Sequence, residues 1–129
     1  PGLFLDLDGT RHLRTGDLGF LREGELFVTG RIKDLVILRG RNHYPQDIEL
    51  TAGRAHALVQ PGAAAAFSVT VDGEEQLVVV VEVTRAFRGA QAAAVTASIT
   101  EAISAHHGIV AHAVALLRPA CLPRTSSGK

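Results

Sequence analysis

The amino-acid sequence predicts an α+β fold, in which a small mixed sheet carries two main helices and short strands come before it. Only two segments show helical spacing or helix start and stop signals, and the other apolar runs are short and separated by turn signals. The strands come in groups and do not alternate with helices, as a doubly wound sheet would require. With 129 residues, of which 47% are hydrophobic, the chain is long enough to bury a core.

The first third of the chain is predicted to consist of strands and turns. Asp-Gly and Glu-Gly turn signals separate three strand-like runs, 3–7, 17–20 and 25–29, with no helix pattern between them. These strands hold too few apolar residues to cover themselves. We therefore expect residues 1–32 to be the trailing strands of a larger N-terminal domain, and residues 33–129 to form a mobile α+β domain that follows a hinge.

The second domain is predicted to begin with a strand over 34–38 and a helix. Gly40 ends the strand, and Pro45 opens the helix at a position where a missing N–H is tolerated. Acidic residues in the first turns suit the positive end of the helix dipole. The helix is expected to end at Gly53 or at the Gln-Pro-Gly break over 60–62.

A hairpin, a second helix and a last strand complete the prediction. Strands over 65–71 and 76–84 flank an Asp-Gly turn, and the valine run in the second of them indicates a central strand with both faces buried. Apolar residues recur at helical spacing over 90–107, and Gly108 supplies the stop signal. A final strand is expected over 111–117.

Charge and cysteine content limit the function classes. Thirteen acidic residues balance thirteen basic ones, which form no patch, so no nucleic-acid partner is expected. Cys121 is the only cysteine and the six histidines match no metal motif, which predicts no metal site in this chain and favours a reducing, cytoplasmic location. The most apolar run, 77–83, is far shorter than the roughly 20 residues of a membrane helix, so no transmembrane segment is expected.

An Asp-x-Asp motif near the start allows a different interpretation. Residues 4–10, Phe-Leu-Asp-Leu-Asp-Gly-Thr, resemble the opening motif of haloacid-dehalogenase-type phosphatases, in which an aspartate is the nucleophile. That chemistry also needs a downstream lysine, an acidic pair for magnesium and a doubly wound sheet. The strand-rich sequence that follows does not supply them, so an exposed Asp-Gly turn is the preferred interpretation.

Four motifs, in order along the chain, carry a second resemblance. They are Leu-Arg-Thr-Gly-Asp over 13–17, Gly-Arg-Ile-Lys-Asp over 30–34, Gly-Arg-Asn-His-Tyr-Pro-Gln-Asp over 40–47 and Pro-Arg-Thr-Ser-Ser-Gly-Lys over 123–129. Together they resemble the acyl-adenylate-forming ligases, and the third looks most like the fatty acyl-AMP ligases. That resemblance implies an enzyme that activates a fatty acid with ATP, releases pyrophosphate and passes the acyl group to an acyl carrier protein or polyketide synthase carrier domain.

The resemblance also assigns binding roles to individual residues. Asp17 would accept hydrogen bonds from the ribose hydroxyls of ATP or AMP, since a carboxylate has two acceptor oxygens. Arg31 would contact the ribose or phosphate of the adenylate through charge-assisted hydrogen bonds. Lys33 falls at the family's hinge, about which the small domain rotates between an adenylating and a thioester-forming pose. Mg²⁺ would be held mainly by the larger N-terminal domain.

Lys129 matches the catalytic lysine that reaches the acyl carboxylate and the α-phosphate. Its charge would stabilise the negative charge that accumulates during adenylation. After the rotation, Arg39, Gly40 and Arg41 would approach the adenylate and contact the phosphopantetheine or an acidic carrier, and solvated surface charge explains the two arginines equally well.

Two further hypotheses stay open. A fatty acyl-CoA ligase would differ only in its thiol acceptor, and a non-catalytic carrier-docking module would need no catalytic body upstream. The family's phosphate loop is not found in this sequence. The chain by itself is therefore expected to be inactive.

Overall fold

The computed structural model describes residues 4–124. The chain divides into two compact units, one that ends at Leu35 and one that begins at Val36. This division lies three residues after the boundary between 32 and 33 that the sequence predicts. The predicted α+β class is confirmed, and the assignment of the first unit to a larger domain stays a prediction.

The first unit consists of two antiparallel hairpins and a short helix. Strand β1 (Phe4–Leu7) pairs with β2 (Thr10–Leu13), and β3 (Asp17–Arg22) pairs with β4 (Glu25–Arg31). A single 3₁₀ turn, Ile32–Asp34, follows β4. The sequence analysis missed β2, because its mostly polar residues give no alternating apolar pattern.

The turn between β1 and β2 decides the meaning of the Asp-x-Asp motif. Asp8 and Gly9 form a two-residue turn with φ angles of 50° and 74°, as in the type I′ turns that close tight hairpins. The next element is the antiparallel strand β2 rather than a helix. The interpretation as an exposed Asp-Gly turn is therefore confirmed.

The apolar side chains of the first unit remain largely exposed. Phe20 and Phe27 stack with ring centroids 5.2 Å apart, and Leu21 and Leu26 are 74% and 68% exposed. Among the residues with described side chains, none before Val36 is buried. The two hairpins therefore lack a core of their own, as the sequence predicts.

The second unit opens with a hairpin and a helix. Strand β5 (Val36–Leu38) pairs with β6 (Arg41–His43), and helix α1 spans Pro45–Arg54. Pro45 begins the helix as predicted. The strand expected over 34–38 starts later, because the 3₁₀ turn extends through Asp34. The sequence analysis missed β6, since three polar residues carry no strand signal.

A three-stranded sheet forms the centre of the second unit. It consists of β7 (Val59–Val71), β8 (Glu74–Val83) and β9 (Ala111–Leu117). The middle strand β8 runs antiparallel to β7 and parallel to β9, so the prediction of a central strand is confirmed.

Helix α2 (Ala92–His107) connects β8 to β9 after a 3₁₀ turn, Gly89–Gln91. Gly108 ends it in the left-handed conformation (φ 65°) that glycine adopts at helix C-termini, as predicted. Three buried residues form its inner face: Val95, Ile99 and Ile103. No helix among residues 4–124 is long and apolar enough to cross a membrane.

Both helices pack on the same face of β8. The core contains Ile48 and Ala52 of α1, the inner face of α2, and alternate residues of β8: Leu77, Val79 and Val81. Val78 and Val80 point to the opposite face and are only half-buried. The prediction that both faces of β8 are buried is therefore wrong, because the two helices cover only one of them.

Strand β7 begins at Val59 rather than at Ala65 as predicted. Pro61 and Gly62 do not end the strand but lie within a register shift between Val59 and Ala64. A proline is tolerated there because β7 is an edge strand, where one side of the backbone has no ladder partner in the sheet.

Candidate functional site

The structure brings together the two residues that were predicted to bind the nucleotide. Asp17 begins β3 and Arg31 ends β4, and the hairpin register places them directly opposite each other. The Arg31 Nε lies 3.4 Å from the Asp17 Oδ1, with side-chain exposures of 60% and 34%. An ion pair this exposed contributes only about 0–1 kcal/mol to stability. Both groups are therefore available to a ligand at little cost to the fold.

Backbone contacts fix the hairpin end that carries this pair. The Asp17 amide donates to the Thr15 hydroxyl at 3.1 Å, and the Ile32 amide donates to the Gly16 carbonyl at 2.9 Å. Near the Asp17 end, Gly19 approaches β4 so closely that a Cβ atom would lie 2.6 Å from the Phe27 carbonyl oxygen. Only glycine fits at this position without a backbone shift.

Lys33 lies in the 3₁₀ turn Ile32–Asp34 and is exposed. The turn is held by a long hydrogen bond of 3.4 Å from the Leu35 amide to the Ile32 carbonyl. The division into two units follows Leu35 directly. Short 3₁₀ turns are common connectors between elements, and the hinge role of Lys33 stays a prediction.

The residues predicted to face the acceptor form the tip of the β5–β6 hairpin. Arg39 and Gly40 are the two turn residues, with φ angles of 48° and 74°, and Arg41 begins β6. Val36 and Leu38 are buried and hold β5 against the core. All three tip residues are exposed, so the structure brings Arg39, Gly40 and Arg41 together at one exposed hairpin tip.

A polar contact that the sequence analysis missed joins α1 to the end of α2. The Thr51 hydroxyl donates to the Asp47 carbonyl at 3.0 Å and lies 2.8 Å from Nε2 of His107. Since a hydroxyl has one proton, Nε2 of His107 is the donor in the second bond. Nearby, burial lowers the pKa of His43 below its ordinary value, and the charges of His107 and Arg41 lower it further.

A groove of about 320 Å³ lies between α1 and the start of β7. Glu49 lines it together with Leu50 and Arg54. Burial raises the pKa of the Glu49 carboxyl, and this shift is partly offset by the Ala66 amide, which donates to its Oε1 at 3.0 Å. Of the predicted site residues that the structure describes, none lines this groove.

The sequence analysis also missed Glu82, the one buried charged residue in the part of the chain that the structure describes. It lies near the end of β8, is 4% exposed, and accepts a hydrogen bond of 2.8 Å from the Leu122 amide. That bond is the main reason why its pKa lies below the ordinary value, with the Ala120 and Cys121 amides and the charge of Arg124 acting in the same direction. The sequence signal that could have revealed this residue is a glutamate within a run of valines.

One predicted part of the site, the catalytic lysine, cannot be placed on this geometry. Lys129 lies outside the described residues, which end at Arg124. Between residues 4 and 124, no group of three His, Cys, Asp or Glu side chains is arranged to hold a metal ion.

Comparison with known families identifies the second unit. Residues 33–129 match the family described as Disco-interacting protein 2-like, AMP domain. The chain belongs to this AMP-domain family. Its relatives are fatty-acid ligases, so the resemblance to the acyl-adenylate-forming ligases is confirmed.

The relatives of this AMP domain include curated enzymes and a solved structure. The medium-chain-fatty-acid–acyl-carrier-protein ligase JamA of Moorena producens is 49% identical over 118 residues, which are 91% of this chain and 20% of JamA. The putative fatty-acid–CoA ligase FadD21 of Mycobacterium leprae is 48% identical over 124 residues, with the same coverage of 91% and 20%. A structure from a study of fatty acyl-adenylate ligases from E. coli and L. pneumophila shares 42% identity, with a TM-score of 0.75, over 91% of this chain and 20% of that one.

The chain spans about a fifth of the length of these curated relatives. The match includes both units, because it covers nine-tenths of the chain. The family of the domain therefore does not by itself establish what the whole protein binds and catalyses.

Proposed function

We propose that this chain is the C-terminal portion of a fatty acyl-AMP ligase. The full-length enzyme joins a fatty acid to the α-phosphate of ATP and releases pyrophosphate. It then passes the acyl group to the phosphopantetheine thiol of an acyl carrier protein, and AMP leaves. The observation that carries the proposal is the pairing of Asp17 with Arg31 at one exposed hairpin end, in a chain of an adenylate-forming family.

The chemistry of this pair fits the ribose and phosphate of ATP or AMP. The Arg31 contact involves only Oδ1 of Asp17, and a carboxylate has a second oxygen that can accept a hydrogen bond from a ribose hydroxyl. Arg31 uses Nε in the ion pair, which leaves its terminal N–H groups to donate to phosphate oxygens. The described residues do not fit Mg²⁺, so we assign no step of the reaction to a metal held by this chain.

The two lysines have separate roles in this proposal. Lys129 places a positive charge where negative charge develops as the acyl carboxylate attacks the α-phosphate, and such a contribution is worth about 3 kcal/mol of the barrier. Lys33 is the hinge between residues 1–32, which complete the adenylating domain, and residues 33–129, which rotate to the thioester-forming pose.

The β5–β6 hairpin tip suits an anionic acceptor. Arg39 and Arg41 project from an exposed turn, and acyl carriers and phosphopantetheine are both negatively charged. We propose a carrier protein as the acceptor, partly because JamA is named as an acyl-carrier-protein ligase. The competing acceptor is coenzyme A, because FadD21 is named as a putative fatty-acid–CoA ligase. The third possibility is that the chain is a non-catalytic docking module. We place the protein in the cytoplasm, where the lone thiol of Cys121 would stay reduced.

The test uses the full-length ligase and separates the two half-reactions. Adenylation is measured by ATP–pyrophosphate exchange with fatty acid, and transfer by supplying acyl-adenylate to the holo-carrier or to coenzyme A. Lys129→Ala should slow adenylation by about 100-fold and spare transfer. Lys33→Pro, which fixes φ at the hinge, should spare adenylation and block transfer if it locks the adenylating pose. Arg85→Ala, in an exposed turn, is the control and should change neither.

The outcomes separate the alternatives. Transfer to coenzyme A faster than to the holo-carrier would favour the acyl-CoA ligase. No fatty-acid-dependent exchange by the wild-type enzyme would favour the docking module. Equal impairment of both half-reactions by both variants would refute the rotation mechanism.

A further inference from the structure

A buried carboxylate holds the last described segment of the chain against the sheet. Glu82 is paired in register with Leu117, the final residue of β9, and lies on the face of β8 that the helices do not cover. It is nevertheless 4% exposed. Its burial coincides with the return of the chain after β9, because the Leu122 amide donates to its Oε1 at 2.8 Å.

The returning segment begins with a turn, and the Leu122 N–H that follows the turn is directed at this carboxylate. The Cys121 amide donates to the Arg118 carbonyl at 3.3 Å, with Pro119 and Ala120 as the central residues. A type II turn often has proline at its second position and requires a positive φ at its third, where the residue is normally glycine or asparagine. Ala120 has a φ of 61°, so the turn adopts a conformation that alanine disfavours.

The carboxylate explains why the turn persists. Successive N–H groups on a tight turn form a concave site for an anion, and a carboxylate that accepts several of them is stabilised in its charged form. The Leu122 amide bonds Glu82 directly, and the nearby amides of Ala120 and Cys121 act on its pKa in the same direction. Glu82 is thus the built-in anion of this segment, and the segment both covers the carboxylate and supplies the N–H partner that its burial requires.

We propose that Glu82 is a positioning residue for adenylation: by fixing residues 118–122, it sets where the chain that leads to Lys129 leaves the sheet. This inference rests on the proposed function, in which Lys129 is catalytic. Lys129 lies seven positions after Leu122 and twelve positions after Leu117. Loss of the anchor would therefore lengthen the chain between the sheet and Lys129. It would also no longer fix the direction in which this chain leaves the sheet.

Chain statistics distinguish these two consequences. If only the tether length mattered, an increase from seven to twelve residues would lower the effective concentration of the lysine at the site about twofold. If the anchor also orders the turn, each released residue must be fixed again whenever the site closes, and the rate falls further. We expect a loss of about tenfold or more, well above the effect of tether length.

The experiment compares Glu82→Gln with the matched control Glu75→Gln in the full-length ligase. Glutamine keeps the shape of Glu82 but has one acceptor oxygen and no charge. Glu75 lies on the same strand and is exposed, and its carboxylate accepts a hydrogen bond from the Thr70 hydroxyl at 2.8 Å. Three quantities are measured: the kcat and KM of ATP–pyrophosphate exchange, the transfer rate from supplied acyl-adenylate, and hydrogen exchange of the amides over 120–122.

In Glu82→Gln we expect kcat of exchange to fall about tenfold or more, with KM for ATP and the transfer rate kept within about twofold. The amides over 120–122 should exchange about tenfold faster, while those of the β8 core stay protected. The control should match the wild type in all three measurements.

Each other outcome overturns the inference in its own way. Unchanged amide exchange would show that Glu82 does not hold the turn. Faster exchange with adenylation reduced no more than about twofold would show that the turn does not position the lysine. Equal losses in both half-reactions would show a role in the fold alone. Absence of adenylation in the wild type would instead refute the proposed function, whatever the amides of Glu82→Gln do.

Discussion

Replacing Arg39 with asparagine should stabilise the second unit and at the same time weaken acyl transfer. Four hairpins in the described residues have two-residue turns in which both φ angles are positive. Two of these turns begin with Asp8 and Asp72, residues that tolerate this conformation. The other two begin with Glu23 and Arg39, with φ angles of 53° and 48°, and neither residue belongs to that group. An arginine is therefore kept at the tip in spite of its backbone preference.

The size of the effect follows from the backbone penalty. A residue other than Gly, Asn or Asp costs about 1–2 kcal/mol in the left-handed region, and asparagine removes much of that cost. Because Arg39 is exposed, little packing is lost, and we expect a gain of about 1 kcal/mol. For a unit of this size, the midpoint of urea unfolding should rise by about 0.5–1 M, measured by circular dichroism on the present chain.

The same variant should lower transfer to the carrier. Loss of one charge from the hairpin tip should slow transfer from supplied acyl-adenylate by about fivefold at low ionic strength, and by less in high salt. Asp72→Arg is the reciprocal control, since it places an arginine in the equivalent turn of the same unit (φ 51°). It should lower stability by about 1 kcal/mol and leave transfer unchanged. An unchanged urea midpoint for Arg39→Asn would refute the strain argument, and unchanged transfer would refute the carrier contact.

Two further predictions concern stability. Ile99→Ala should reduce the free energy of unfolding, measured by urea titration, by about 3–4 kcal/mol, because Ile99 is fully buried between α2 and the sheet. The control Glu101→Ala replaces an exposed residue of the same helix and should change this free energy by no more than about 0.5 kcal/mol. Burial holds the pKa of His43 below 6.5, so below pH 6.5 the unfolded chain takes up a proton that the folded chain does not. The free energy of unfolding should therefore fall as the pH is lowered from 6.5, and His43→Gln should reduce this slope; an identical slope in the variant would contradict the assignment.

The sequence predicts those elements whose signals are local. Pro45 fixes the start of α1 and Gly108 the end of α2, because each acts on its own backbone conformation. The β9 bounds, Ala111–Leu117, are the predicted ones, and the central place of β8 follows from its unbroken apolar run. Such features need no knowledge of what packs against them.

Features that depend on partners distant in the sequence were not predictable in the same way. Motif resemblance named Asp17 and Arg31 separately, but their ion pair depends on a hairpin register that contains a shift at Gly19. The bond from His107 to Thr51 joins residues 56 apart. The two faces of β8 look alike in sequence, and which of them is covered depends on where both helices pack.

Three turn residues adopt backbone conformations that their types disfavour. Asp8 and Asp72 obey the turn rules, whereas Glu23, Arg39 and Ala120 have positive φ angles although none of them is glycine, asparagine or aspartate. Arg39 is at the proposed acceptor contact, and Ala120 is in the turn that Glu82 holds. Natural sequences depart from local consistency mainly where a function or a compensating contact requires it. For Ala120 the compensating contact is visible in the buried carboxylate. Glu23 adopts the same conformation as Arg39 in a turn away from the proposed sites, so a positive φ does not by itself mark a contact. The proposed acceptor role of Arg39 therefore depends on its charge and exposure, which is why Arg39→Asn is tested by transfer as well as by stability.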